Sequence, residues 1–267
     1  MLGEMTLTRS SDVCIHTYTA PENGWCVNSH IVETETALIV VDAQYMLCYA
    51  HEVTAYAAGL GKPISRLYLS HFHPDHILGA SAFSCPIYAL SAVAAKIAAV
   101  GDRIAVEEHE KHGDLIAMRA EQPDHIVAPG VEDVDGARFE FLHLEHAETS
   151  DALMVGLPDR GILITQDLLY NGVHVFVGEH AFDSWEAALQ KTQALDYDAL
   201  LPGHGSPGGP ELYGATLQYL ERANDAYARS NSGAELKARM IAAFPDYRVR
   251  VLLDHQMRFL FPKPTQD

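Results

Sequence analysis

The chain has 267 residues, is 48% hydrophobic and carries a formal charge of -18, from 18 Lys and Arg against 36 Asp and Glu. That size buries a substantial core in one domain. The acidic surplus, unbroken by any basic cluster, argues against a polynucleotide substrate, because phosphate binding needs Lys and Arg to release counterions. No apolar run is long enough to span a membrane, and "MLGEMTLTRSSD" lacks a basic start followed by an apolar stretch. The expectation is therefore a cytoplasmic protein that acts on a small molecule, with no nucleic-acid or membrane partner. Cys14, Cys26, Cys48 and Cys85 are scattered without C-x-x-C spacing and read as reduced thiols.

In chain order, "DVCIHTYT", "CVNSHIVET" and "TALIVVDA" are rich in β-branched residues and separated by turn residues, which predicts three strands. A helix is expected near "HEVTAYAAGLG", then a strand at "ISRLYLS". "HILGASAF" has helical composition, "CPIYAL" reads as a short strand, and "SAVAAKIAAV" reads as a helix with Ser91 as N-cap. "RFEFLHLEH", "ALMVGLP" and "GILITQD" follow as strands. "DSWEAALQKTQAL" predicts an amphipathic helix capped at Asp183 or Ser184, with Trp185, Leu189 and Leu195 on its core face. After a strand at "YDALLP", the chain is mainly helical from 211 to 267. Two groups of strands, each followed by helices, suit a sandwich with sheets inside and helices outside, in a single domain over 1–267. The helical tail would serve as a cap over a site or as the surface of a homodimer.

Residues 68 to 79, "YLSHFHPDHILG", crowd His71, His73, Asp75 and His76 behind an apolar strand. In extended chain, residues i and i+2 face the same way, so His71 and His73 point at one ion. If a helix starts at Asp75, its carboxylate and the His76 imidazole project beside that ion. Both are ligand types for zinc, iron or manganese. Further ligand-type residues stand at the ends of later apolar runs: His146 after "RFEFLHLE", Asp167 after "GILITQ" and His204 in "LLPGHGSPGG".

With H-x-H-x-D-H followed by a His, an Asp and a His at later strand ends, the sequence resembles the metallo-β-lactamase superfamily, over roughly residues 24 to 210. The resemblance implies an α/β fold, a four-layer αββα sandwich. It implies two divalent metal ions, zinc first with iron or manganese as alternatives. His71, His73 and His146 would hold one ion, Asp75, His76 and His204 the other, and Asp167 would bridge them. The implied chemistry is hydrolysis of a small ester or lactone by a metal-activated hydroxide, with Asp75 passing a proton to the leaving group. Tyr170, three residues after Asp167, occupies the offset at which similar lactonases carry a carbonyl-binding tyrosine; donor to an oxyanion and plain pocket wall are its two readings. Glu145 and Gln166 stand where many members have glycine, and "VVDAQY" replaces Asp-x-Gly while keeping Asp42. Those departures bear on the substrate more than on the metals. A glutathione thioesterase, a β-lactamase-type hydrolase and a mononuclear iron persulfide dioxygenase are the alternatives.

"GHGSPG" also satisfies G-x-G-x-x-G, but Pro207 lies inside it and no complete βαβ unit surrounds it. Its glycines read instead as backbone room around His204. Of the remaining histidines, His174 is a candidate for the pocket wall. His30 and His143 read as strand histidines, and His16, His51, His109, His112, His125 and His255 as surface or helix-end residues.

Overall fold

A computed structural model describes residues 1–10 and 13–262. Its strands are β1 (Glu4–Ser10), β2 (Val13–Thr19), β3 (Asn28–Glu33), β4 (Leu38–Val41), β5 (Ile64–Tyr68), β6 (Ile87–Leu90), β7 (His125–Val127), β8 (Gly130–Val134), β9 (Ala137–Glu145), β10 (Asp151–Leu157), β11 (Ile162–Asn171) and β12 (Ala199–Gly205). The helices are α1 (Leu47–Gly59), α2 (Pro74–Ile77), α3 (Ser91–His112), α4 (Phe182–Gln193), α5 (Glu211–Ala228), α6 (Gly233–Ala243) and α7 (Val251–Leu260).

The strands form two sheets, β1 to β7 in sequence order and β12-β11-β10-β9-β8. β4 to β7 run parallel, as do β11 and β12, while the other pairs are antiparallel. The sheets meet through β2 and β3 against β12 and through β6 against β10, with α3 over β6 and β7 and with α4 and α5 over β11. This is the expected sandwich with helices on its outer faces. Strands buried on both sides, such as "LIVV" in β4 and "ILITQDLLY" in β11, are continuously apolar or sealed by internal hydrogen bonds. Among the described residues no helix is long and apolar enough to cross a membrane.

Several local expectations need correction. Ser91 is the first residue of α3, which follows Leu90 with no side-chain cap. Likewise α4 starts at Phe182, so Asp183 and Ser184 lie in its first turn, where the Asp183 carboxylate still complements the helix dipole. Leu195 is exposed beyond the end of α4, whereas Trp185 and Leu189 are buried. β1, β7 and β8 were not legible, because short edge strands give weak periodic signals. All four cysteines are free thiols.

Candidate metal centre

β5 delivers the first ligand-type groups. The chain leaves its end as extended backbone, and Pro74 opens α2 at a position where its missing N–H costs nothing. His71, Asp75 and His76 are thereby buried, with His73 half-buried at the rim. His76 Nδ1 lies 2.7 Å from Asp42 Oδ2, and the Ser70 N–H and hydroxyl each donate to Asp42 at 2.7 Å. The Gln166 amide donates to the same carboxylate. Asp42 therefore fixes the tautomer and orientation of His76, and Ser70, 2.8 Å from His71 Nδ1, does the same for His71. Gln166 at the glycine-type position is thus part of the orienting network.

The second sheet supplies the opposing groups. β11 and β12 slip register between Gln166 and Tyr170, and Gln166 has φ +45°, which turns Asp167 toward the centre. His76 Nε2 is 3.2 Å from Asp167 Oδ1 and 3.3 Å from Asp75 Oδ2. His204 Nε2 is 3.2 Å from both Asp75 Oδ2 and Asp167 Oδ2, while its Nδ1 is held 2.9 Å from the Trp25 carbonyl oxygen. Glycine is required beside His204: a Cβ on Gly203 would sit 1.8 Å from Asp167 Oδ1, and Gly205 has φ +82° with Asn171 backbone against it.

The structure does not bring His146 into this cluster. Its side chain is exposed, and Glu148 occupies the place expected for it. The tight turn after β9 explains the exchange. His146 adopts φ +53°, its N–H bonds to the Ser150 carbonyl at 3.0 Å, and the Ala147 N–H bonds to that of Thr149 at 3.1 Å. That reversal swings position 146 outward and position 148 inward. Glu148 Oε1 lies 3.0 Å from His73 Nδ1, and Oε2 lies 3.8 Å from His71 Nε2. In sequence, an acid in a polar loop gives no sign of this; only its burial, at 2% exposure, does.

His71, His73 and Glu148 form one group able to hold an ion, and Asp75, His76 and His204 form another. The donor atoms fit such ions. His71 Nε2, His76 Nε2, both Glu148 oxygens and Asp167 Oδ1 are buried without a hydrogen-bond partner among the described residues, a costly state unless a cation meets them. The electrostatics agree. Burial pushes the His71 imidazole well below its ordinary value, helped by His76 and His73. Burial alone would raise Asp75 and Asp167, but His76 and His204 outweigh it and hold both carboxyls well below the usual range. Burial also pushes Glu148 up to about 7 against the pull of His73. So many carboxylates in one buried volume demand compensating positive charge, which divalent cations supply.

Tyr170 stacks on the His204 ring, centroids 4.8 Å apart, and its hydroxyl donates to Asp167 Oδ2 at 2.5 Å. His174 does not line the site. Its N–H pairs with the Arg248 carbonyl, and its ring packs against Tyr219 and Tyr247, with Nδ1 3.1 Å from the Tyr219 hydroxyl. Phe176 lines the wall instead.

Over the cluster lies a cavity of about 390 Å³. Asp75, His73, Glu148, Asp167, Tyr170 and His204 line its polar floor, Trp25, Phe72, Val100, Ile104, Phe176 and Phe259 its apolar walls, and Arg103, Glu107, Glu108 and Glu179 add further charged groups. Lys96 lies over the Phe72 ring and Arg258 over that of Phe259, and neither pairs with a carboxylate among the described residues. His255, expected at the surface, is half-buried in this wall against Trp25 and Phe176.

A buried His/Asp/Glu cluster at the strand ends of a two-sheet sandwich defines a class of metal-dependent hydrolases. A family model for the metallo-beta-lactamase superfamily matches residues 24–204, and the chain belongs to that superfamily. The linear primary-alkylsulfatase of Pseudomonas sp. (strain ATCC 19151) is 27% identical over 217 residues, 66% of this chain and 41% of that protein. The chain thus spans about two-fifths of the length of this curated relative. The metallo-beta-lactamase from Pontibacter korlensis superposes with a TM-score of 0.64 at 23% identity, covering 82% of this chain and 99% of that one. FIM-1 from Pseudomonas aeruginosa, in its mono-zinc form, gives 0.61 at 23% identity, with 82% and 96% covered. The two structural matches speak for the fold.

Proposed function

We propose that this chain hydrolyses an ester of an amphiphilic anion, with sulfate esters of primary alcohols as the class it fits best. The observation that carries the reading is the cavity itself. Apolar walls suit an alkyl chain, Lys96 and Arg258 line the same cavity without an ion pair to a carboxylate among the described residues, and the ligand cluster forms the floor. The similarity to an alkylsulfatase supports the same class.

His71, His73 and Glu148 would hold one divalent ion and Asp75, His76 and His204 the other, with Asp167 between them. Zinc is assigned first, and iron and manganese suit the same donors. When bound, such ions supply Lewis acidity and acidify water to a pKa of roughly 7. The residues of the chain do the rest. Asp42 and Ser70 hold His76 and His71 in register, and Tyr170 fixes the Asp167 carboxylate through its hydroxyl. Asp75 opens onto the cavity and takes the proton released as water adds, then returns it to the departing alcohol oxygen. One ester and one water thus give one alcohol and one acid anion.

A carboxylic ester or lactone is the second reading, favoured by Tyr170, which lines the same cavity. The test is acid release in a pH-stat by metal-reconstituted protein offered decyl sulfate, a γ-lactone, a glutathione thioester and a cephalosporin. Turnover of decyl sulfate at the highest kcat/KM is expected. Turnover confined to the lactone would install the second reading, and silence across all four would overturn both.

A further inference from the structure

A second group of ligand-type side chains lies on the first sheet, apart from the centre. Cys14 and His16 are two residues apart on β2 and so share a face, and Glu33 is paired with Cys14 across the antiparallel ladder to β3. One sulfur, one imidazole nitrogen and one carboxylate oxygen from these residues lie within 4.8 Å of one another. His16 Nε2 is 3.3 Å from Glu33 Oε2.

Each group is oriented from outside. His16 Nδ1 lies 2.8 Å from the Tyr56 hydroxyl of α1, and its Nε2–H donates to Glu33 Oε2; a cation would take the place of that proton, with Nδ1–H then donating to Tyr56. Lys62 Nζ holds the other Glu33 oxygen at 2.9 Å and donates to the Thr34 carbonyl at 2.6 Å, which fixes the carboxylate with Oε2 inward. Oriented outer partners of this kind accompany built metal sites. His16 is 5% exposed, whereas Cys14 and Glu33 are half-buried, so the group is open on one side to solvent.

We infer that Cys14, His16 and Glu33 form a separate site for a borderline divalent cation of the zinc class, with water as fourth ligand, clipping β2 to β3. Thiolate, imidazole and carboxylate together select zinc or cobalt over magnesium or calcium. Binding displaces the thiol proton of Cys14.

Cobalt titration of the full chain tests this independently of any substrate. The centre described above contains no cysteine, so a thiolate-to-cobalt charge-transfer band reports the new site alone. The band is expected to reach the intensity of one thiolate-bound cobalt per chain at saturation, vanish in Cys14→Ser and persist in Cys48→Ser and Cys85→Ser. In Glu33→Gln, a half-buried change that leaves the core intact, the apparent cobalt affinity should fall at least tenfold. Absence of the band at saturating cobalt, or its survival in Cys14→Ser, would overturn the assignment. So would an unchanged affinity in Glu33→Gln.

Discussion

Glu148 Oε1 lies 3.0 Å from Nδ1 of His73, while His146, two residues earlier in the same turn, faces solvent. The carboxylate adds a negative charge to a buried cluster that already holds Asp75 and Asp167, so the centre suits cations more strongly than an all-histidine site would.

Exchanging these two positions separates them cleanly. His146→Ala should retain full metal content and kcat/KM within about twofold, as expected of a surface change. Glu148→Ala should lose one ion and lower kcat/KM about 100-fold or more, since even outer partners of metal ligands cost 10–100-fold. Metal analysis of the desalted proteins alongside kinetics checks both, and loss of an ion from His146→Ala would restore histidine to the ligand set.

The Tyr170 hydroxyl is engaged with Asp167 rather than directed freely into the cavity. A hydrogen bond to a charged group contributes roughly 1.5–3 kcal/mol, so Tyr170→Phe should lower kcat by about 10- to 100-fold with unchanged metal content. The loss should be the same for sulfate and carboxylic esters if the hydroxyl only positions Asp167. A loss restricted to carbonyl substrates would mark it as an oxyanion donor.

Lys96 and Arg258 bring positive charge to the rim of a cavity that carboxylates also line. Replacing both with Met should raise KM for decyl sulfate about tenfold, each exposed charge being worth up to about 1 kcal/mol, and leave a neutral ester of equal length unaffected. The difference should shrink at 1 M salt, where exposed charges are screened. Equal effects on both esters would show that only packing was lost.

His174 supplies a pH dependence of stability. Burial, with Arg250 nearby, lowers its imidazole from 6.5 to about 4 in the fold. Between those values the unfolded chain binds more protons than the native one, so stability rises with pH there and is lost as pH falls below 6.5. His174→Gln should flatten this acid limb, read from urea midpoints of metal-saturated protein at pH 7 and pH 5. An unchanged slope would place the titration elsewhere.

The H-x-H-x-D-H run, the strand that carries it and the place of His204 near the end of β12 were legible in the sequence, whereas Asp167, expected at a strand end, lies within β11 beside a slip in register. Two-residue periodicity and placement behind a strand are local properties, and they suffice to aim His71 and His73 at one point with Asp75 and His76 beside it. The glycines around His204 were legible for the same reason, and Gly203 and Gly205 prove to be required by contact and by φ. What needed the tertiary structure was the choice between groups close together in sequence. His146 and Glu148 are separated by a turn whose direction depends on the carbonyls of Ser150 and Thr149, and His174 and Phe176 by a bridge to Arg248. Likewise, whether Cys14 and His16 meet Glu33, or Lys96 on α3 meets Arg258 on α7 over one cavity, depends on pairings between distant segments. The sequence by itself determined the ligand chemistry, because that resides in residue types at short range. The inward place of Glu148, the cavity walls and the second cluster were decided only by how the sheets and helices pack.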